Sequence, residues 1–301
     1  MSGNRAVLHL DGTMLEAARA GRQNFVNRLA AALASVGWRL EIARASLMAE
    51  ARWAAGGPSL WHMSEPPGPG GLVIRRTYLG AFWHIERIAA RWDWPVARAA
   101  FDPAGIDPDR AAAFVRQWRG QLFPGLEARR EGHVFVPLQA RLTERRSFQS
   151  MSPLEMLRAV IARWPDRRIA ATLHPGVDHD PAELAALEAL AKTHPRLELS
   201  RGGSLPLLAT ADLVATQNSS LAFQGYFLEK PALLFAGIDF HHPAASVPRD
   251  GLAAALEAAE APRLPLAPYL WWFLKGHAIN AGAPEAEAQI LAALRRGGWA
   301  L

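Results

Sequence analysis

The stretch ADLVATQNSSLAFQGYFLEKPALLFAG, residues 211–237, reads as strand, helix and strand in immediate succession. Residues 213–215 are a short apolar run. The polar group Gln217-Asn218-Ser219-Ser220 then opens a helix over 220–228, and Pro231 ends the connection before a second apolar run at 232–235. A helix between two short buried strands predicts a parallel crossover, because parallel neighbours cannot be joined by a tight hairpin.

Reading outward, the same alternation extends upstream. Residues 133–138 and 168–173 read as strands. Residues 153–164 read as a helix, with Ser152 as its N-cap and Pro153 in the first turn. A helix over 181–193, a short strand at 197–199 and a helical turn at 205–209 complete the series. The first half repeats the scheme: a strand at 6–10, an amphipathic helix at 25–36 and a strand at 38–43. Residues 56–71, crowded with glycine and proline, read as a loop, followed by a strand at 72–74. A helix is expected at 109–118, with a break at Phe123-Pro124-Gly125, while the tryptophan-rich 75–101 carries no clear period. Two series of strands separated by helices imply an α/β protein with two Rossmann-like domains and a cleft between them.

With 301 residues, half of them apolar, the chain can build two ordinary cores. Cysteine is absent, which removes disulfides, thiolate metal sites and thiol nucleophiles. MSGNRAVLHLDG lacks a signal-peptide pattern and no eighteen-residue apolar stretch exists, so a cytoplasmic protein is expected, with peripheral contact to the inner membrane left open. The net charge of +5 suits an anionic partner, although arginine abundance can also reflect compositional bias.

Neither the dinucleotide glycine fingerprint nor a P-loop is present, which argues against a dehydrogenase or an NTPase. Of three His-Pro pairs, only His174-Pro175 directly follows a strongly apolar strand. Proline disfavours helix at the residue before it, so His174 should project from the carboxyl edge of a sheet, where open α/β sheets bind ligands. The plain alternative is a histidine that merely ends a strand. Serine at 219 or 220 is first an N-cap, a reading compatible with a phosphate site built from backbone N–H groups and hydroxyls. Asp11 ends the first strand and is the leading proton acceptor, with Glu65 and Glu86 behind it; each also reads as an ordinary solvated carboxylate. Asp178, His179 and Asp180 resemble metal ligands by type but more simply begin the helix at Pro181. No metal and no cofactor is expected.

From His133 to about Gly282 the chain resembles the capsular polysaccharide synthesis proteins that include the β-Kdo transferases, themselves similar to GT-B bacterial sialyltransferases. The pieces are VFVPLQ at 134–139, RRIAATLHPG ending at Gly176, the quoted 211–237 and YLWWFLKG from Tyr269. The resemblance implies a GT-B-like fold in which His174, Pro175, Ser219 and Ser220 hold the nucleotide of the donor, joined by Gln139, Asn218 and Gln224. It departs from the family pattern at Ser147-Phe148-Gln149, where Asp-Ser-Gln is usual and only the glutamine is kept, at Gln224 and Glu229, and in lacking a clear acidic pair in the first half.

The implied function is a glycosyltransferase of surface polysaccharide assembly using a nucleotide-activated sugar, CMP-linked and acidic, with a saccharide or glycolipid acceptor. Asp11 would be the base, while His174 with the serine pair would serve the leaving group. The expected domains are an acceptor domain at 1–128, a nucleotide-sugar domain at 129–265 and a tail at 266–301 that crosses back to the first. The rival readings are a non-catalytic sugar-nucleotide or glycan-binding protein and a nucleotide-sugar epimerase. Nucleic acid is not an expected partner.

Overall fold

A computed structural model describes residues 4–301. The first elements are β1 (Arg5–Leu10), α1 (Gly12–Arg19), α2 (Asn24–Ser35), β2 (Arg39–Arg44), α3 (Leu47–Trp53), β3 (Ser59–His62), β4 (Gly71–Arg76) and β5 (Phe82–Glu86). After the short α4 (Pro95–Arg98) come α5 (Pro108–Leu122), β6 (His133–Pro137), α6 (Pro153–Arg163), β7 (Arg168–Leu173), α7 (Pro181–Thr193), β8 (Leu197–Arg201), α8 (Ser204–Thr210), β9 (Leu213–Thr216), α9 (Ser220–Tyr226) and β10 (Ala232–Leu234). The chain ends with β11 (Ala245–Ser246), α10 (Val247–Asp250), α11 (Leu252–Glu257), α12 (Leu266–Trp271), β12 (Ile279–Asn280) and α13 (Ala286–Arg296). The α/β class with two Rossmann-like units holds.

One unit comprises Met1–Val96 with Phe273–Leu301, the other Ala97–Trp272. The division differs from the expected 128/129 boundary. Helix α5 belongs to the second unit, where it packs against α12. Trp271 meets Phe114 at 5.6 Å between ring centroids, and Trp272 meets Phe101 at 5.7 Å and His242 at 5.2 Å. The first part of YLWWFLKG is thus an aromatic cluster of the second unit, and the chain joins the first unit from Phe273 onward.

In the first unit the sheet order is β12-β5-β4-β3-β1-β2. Strands β1 to β4 are parallel, whereas β5 runs antiparallel to β4, and β12 to β5. Leu8, Leu10, Leu60, Leu72 and Ile74 alternate onto one face and form a core with Phe25, Leu29, Ile290 and Leu294 from the helices. Phe25 stacks on Trp83 at 4.4 Å.

Strand β3 lies inside the segment read from sequence as loop, between β1 and β4. Its four residues are flanked by Gly56-Gly57-Pro58 on one side and by the proline- and glycine-rich residues 66–71 on the other, so local chemistry favours turn while pairing on both sides imposes strand. The crossover of residues 63–70 that returns the chain to β4 holds no helix and is closely packed. A Cβ on Gly68 would lie 2.5 Å from the Ala54 carbonyl oxygen and 2.6 Å from that of Trp53.

The second unit has the order β11-β10-β9-β6-β7-β8, every pair parallel. Val134, Val136, Ile169, Ala171, Leu213, Ala215, Leu233 and Phe235 meet Leu157 and Val160 of α6 in its core. Helix α6 starts in a capping box: Ser152 Oγ accepts from the Glu155 N–H at 3.3 Å, and Glu155 accepts from the Ser152 N–H at 2.8 Å. The expected strands and helices of this half are all present, with ends shifted by one to two residues, as terminal turns fray.

At the amino edge of this sheet Lys230 is buried, and its Nζ donates to the Arg129 carbonyl at 2.6 Å. Burial pushes its pKa down to about 8. Between that value and the unfolded 10.5 the unfolded chain holds a proton that the folded one has lost, so stability rises with pH across this window. Urea unfolding from pH 8 upward should show the rise, and Lys230→Met should flatten it. A second expectation concerns glycine. Gly68→Ala should cost about 1–3 kcal/mol by overpacking. Gly120→Ala, in helix α5 with nothing within 4 Å of the added Cβ, should gain about 0.5–1 kcal/mol, both read from chemical denaturation.

Candidate functional site

Because all strands of the second unit run the same way, every loop entering the next helix leaves from one edge. The chain passes from β6 to β7 and β8 on one side, then crosses back to β9 and β10 on the other. The switch point, where open α/β sheets bind ligands, therefore lies between β6 and β9.

Gln139 and Asn218 meet there. The Asn218 N–H donates to Gln139 Oε1 at 3.4 Å, and Asn218 Nδ2 donates to the Gly237 carbonyl at 3.3 Å. Just beneath, Thr216 Oγ1 donates to the Pro137 carbonyl at 2.9 Å and ties the two strand ends together. Ser219 is the N-cap of α9, its Oγ accepting from the Leu221 N–H at 3.3 Å, which is the structural role foreseen for one of the pair. Ser220 is exposed and Gln224 half-buried.

His174 and Pro175 leave the end of β7 on the other side of β6, both exposed. The Gly176 N–H donates to His174 Nδ1 at 3.1 Å, so the neutral ring carries its proton on Nε2 and offers it outward. No hydrogen bond joins His174 to the Gln139–Asn218 group. Two strand spacings, roughly 10 Å, separate the ends of β7 and β9.

Two further glutamines lie here, Gln149 in the loop from β6 to α6 and Gln217 just after β9; both were named from the sequence, but neither was assigned a role. Gln149 is 2% exposed; its Oε1 accepts from the Arg146 N–H at 2.7 Å while its Nε2 has no partner. Gln217 is 1% exposed, and its Nε2 donates to the Met151 carbonyl at 2.9 Å while Oε1 has no partner. Beyond β7 the His179 side chain is buried, with Nδ1 3.6 Å from Glu183 Oε2. Asp180 caps α7 through the Ala182 N–H, as a helix start predicts. A glutamine preceding an expected helix start was the one available signal for Gln217. Gln149 sits in a polar loop with no periodic pattern, and its one signal was the resemblance, which keeps the glutamine of Asp-Ser-Gln there.

In the first unit the parallel order β4-β3-β1-β2 puts the switch point between β1 and β3. Asp11 ends β1 there, exposed and making no side-chain cap to α1. His62 ends β3 beside it. Burial lowers the His62 pKa and the Asp11 charge works against that shift, while Arg75 and Arg76 at the end of β4 reinforce it. Glu65 is engaged by the Ala89 N–H at 2.7 Å. Glu86 pairs in register with Val73 near the start of β4, so it lies toward the opposite edge, in a cavity of about 600 Å³ lined also by Trp94 and Arg296. Of the three carboxylates, Asp11 alone occupies the switch point.

No protein-family profile matches the chain, and no curated protein matches it in sequence. In structure it is similar to the β-Kdo 2,7-transferase of Thermosulfurimonas dismutans KpsC, at 14% identity, with 97% of this chain and 100% of that chain covered and a TM-score of 0.55. It is also similar to the β-Kdo 2,4-transferase of the same KpsC, at 12% identity, with 87% and 88% covered and a TM-score of 0.50. A UDP-GlcNAc 2-epimerase of Methanocaldococcus jannaschii follows at 9% identity, 97% and 99% coverage and a TM-score of 0.39, too remote to bear on function. The likeness to the two β-Kdo transferases establishes the GT-B-like fold, and at such identities it shows the fold alone. Among the described residues no helix is long and apolar enough to cross a membrane.

The site geometry separates two kinds of residue. Gln149→Leu leaves the buried Arg146 N–H without its acceptor and should cost about 1–3 kcal/mol in urea unfolding. His174→Ala, at an exposed strand end, should stay within about 0.5 kcal/mol of the parent.

Proposed function

We propose that this chain is a glycosyltransferase of surface or capsular polysaccharide assembly whose donor is a nucleotide-activated sugar, CMP-linked and acidic. One observation carries the reading. At the switch point of an all-parallel sheet, a glutamine and an asparagine from adjacent strand ends are hydrogen-bonded to each other, with exposed Ser220 beside them and His174 two strands away. In this reading Gln139, Asn218, Ser219, Ser220 and Gln224 line the nucleotide, with His174-Pro175 at its phosphate. The outward His174 Nε2–H donates to the phosphate oxygen on which charge builds as the sugar departs.

The acceptor is assigned to the carboxyl edge of the first unit, with Asp11 as the proton acceptor for the attacking hydroxyl. Leu47 and Met48, each 83% exposed, start α3 just past the end of β2, and Met63, 50% exposed, follows β3. Such apolar surface beside a switch-point carboxylate suits a saccharide carrying an apolar aglycone, as in a glycolipid. β-Kdo transfer, the activity of the two KpsC neighbours, agrees with this reading and with the sequence resemblance.

The test is incubation with CMP-linked acidic sugars and saccharide or glycolipid acceptors, following both CMP release and elongated product. Acceptor-dependent release with product is expected, and Asp11→Asn should lower turnover by roughly a hundredfold or more while leaving donor affinity unchanged. Binding without turnover would favour the non-catalytic reading, and conversion of donor without acceptor would favour the epimerase.

A further inference from the structure

Arg146 stands in the loop that leaves β6 at the switch point, and its surroundings are firmly held. The Gly237 N–H donates to the Phe148 carbonyl at 2.9 Å, the Ser150 N–H to the Phe235 carbonyl at 2.9 Å, and Gln149 bridges to Ala236. Arg145 Nε donates to the Gln149 carbonyl at 3.0 Å. The same Gly237 accepts from Asn218, so the loop and the Gln139–Asn218 pair belong to one hydrogen-bonded assembly.

Within this frame the Arg146 guanidinium lies over the Phe148 ring, 4.8 Å from its centroid. It forms no ion pair among the described residues, and its Nε is buried without a hydrogen-bond partner. Glu144, the acid nearest in sequence, is taken up by Arg141 at 2.9 and 3.2 Å. Burial, reinforced by Arg141 and opposed by Glu144, lowers the Arg146 pKa, yet a guanidinium stays charged in a protein. Stacking on Phe148 accounts for its orientation but leaves the N–H donors unused. Next to it, the Gln149 amide has its oxygen occupied and its Nε2 donor free although the residue is 2% exposed. A half-buried guanidinium whose Nε is shut off from water, in the same loop as a buried and unused amide donor, is costly unless an acceptor with negative charge completes them.

We propose that Arg146 and the Gln149 amide form an oxyanion subsite that grips a phosphate or carboxylate of the bound ligand. A guanidinium presents paired donors that match either group in a bidentate manner, which a lysine cannot do. The inference deepens the nucleotide-sugar reading and rests on it for the identity of the ligand, since phosphate and sugar carboxylate both occur in an acidic CMP-sugar.

The experiment is calorimetric titration of the parent, Arg146→Gln and Arg146→Lys with cytidine, CMP and CMP-N-acetylneuraminate. If the subsite holds phosphate, Arg146→Gln weakens CMP tenfold or more and leaves cytidine unchanged. If it holds carboxylate, the loss appears only in the added affinity of the CMP-sugar over CMP. Arg146→Lys should recover part of the loss in either case, and it carries the readout should the glutamine variant melt several degrees lower. Equal affinities for all three ligands in parent and variants would overturn the subsite. Should the parent bind no nucleotide, the proposed function fails, and the subsite is judged separately by thermal stabilisation with inorganic phosphate and with acetate. A shift for the parent that the variants lack supports it, and identical shifts overturn it.

Discussion

Parallel pairing in the second unit decides which parts of the chain can meet. Strands that all run one way send their helix-bound loops out at a single edge, and the order β8-β7-β6-β9-β10 makes β6 the strand from which the chain departs in both directions. Residues as far apart in sequence as Gln139 and Asn218 become neighbours for that reason. The Thr216–Pro137 hydrogen bond then fixes the two strand ends against each other. Change the register of β9 by one residue and Thr216 would turn to the other face, taking the asparagine with it.

The two edges of this sheet differ in how their polar groups are satisfied. On the amino side, Lys230 reaches the Arg129 carbonyl, His133 Nε2 meets the Leu207 carbonyl at 3.1 Å, and Asp212 accepts from the Gly132 N–H at 3.0 Å. His133 Nδ1 is an exception there. On the carboxyl side the Arg146 Nε, Gln149 Nε2, Gln217 Oε1 and both His179 ring nitrogens lack hydrogen-bond partners, His179 Nδ1 standing 3.6 Å from Glu183 Oε2. Folding tolerates such groups when the rest of the structure holds them in place, and they gather where a ligand is expected. The asymmetry sets the carboxyl edge apart on physical grounds independent of any likeness to other proteins.

Much of the second unit was legible because local and global preferences agree. Ser152-Pro153 announces α6 and becomes a capping box, and the apolar strands β6, β7, β9 and β10 are buried on both faces, as helical crossovers require. The first unit was less so. Strand β3 is four residues in a glycine- and proline-rich context, and only its two neighbours make it a strand. Helix α3 has no buried residue and so shows no apolar stripe. Strand β5 is an antiparallel piece within a tryptophan-rich run. At the site, His174, Ser219 and Asn218 could be found because they follow readable strands. Gln149 was marked only as the glutamine kept from the family's Asp-Ser-Gln and Arg146 not at all, since their surroundings come from a loop folded back on the end of β10.

The central claim is that the carboxyl edge of the second unit binds a nucleotide-sugar. Hydrogen–deuterium exchange with and without a CMP-linked sugar reads each loop separately. The account predicts slower exchange at residues 139–149, 174–177, 217–221 and 236–238, with the amino-edge residues 129–132 and 195–197 unchanged. Protection confined to the amino edge, or no protection at a ligand concentration that saturates binding, would contradict it.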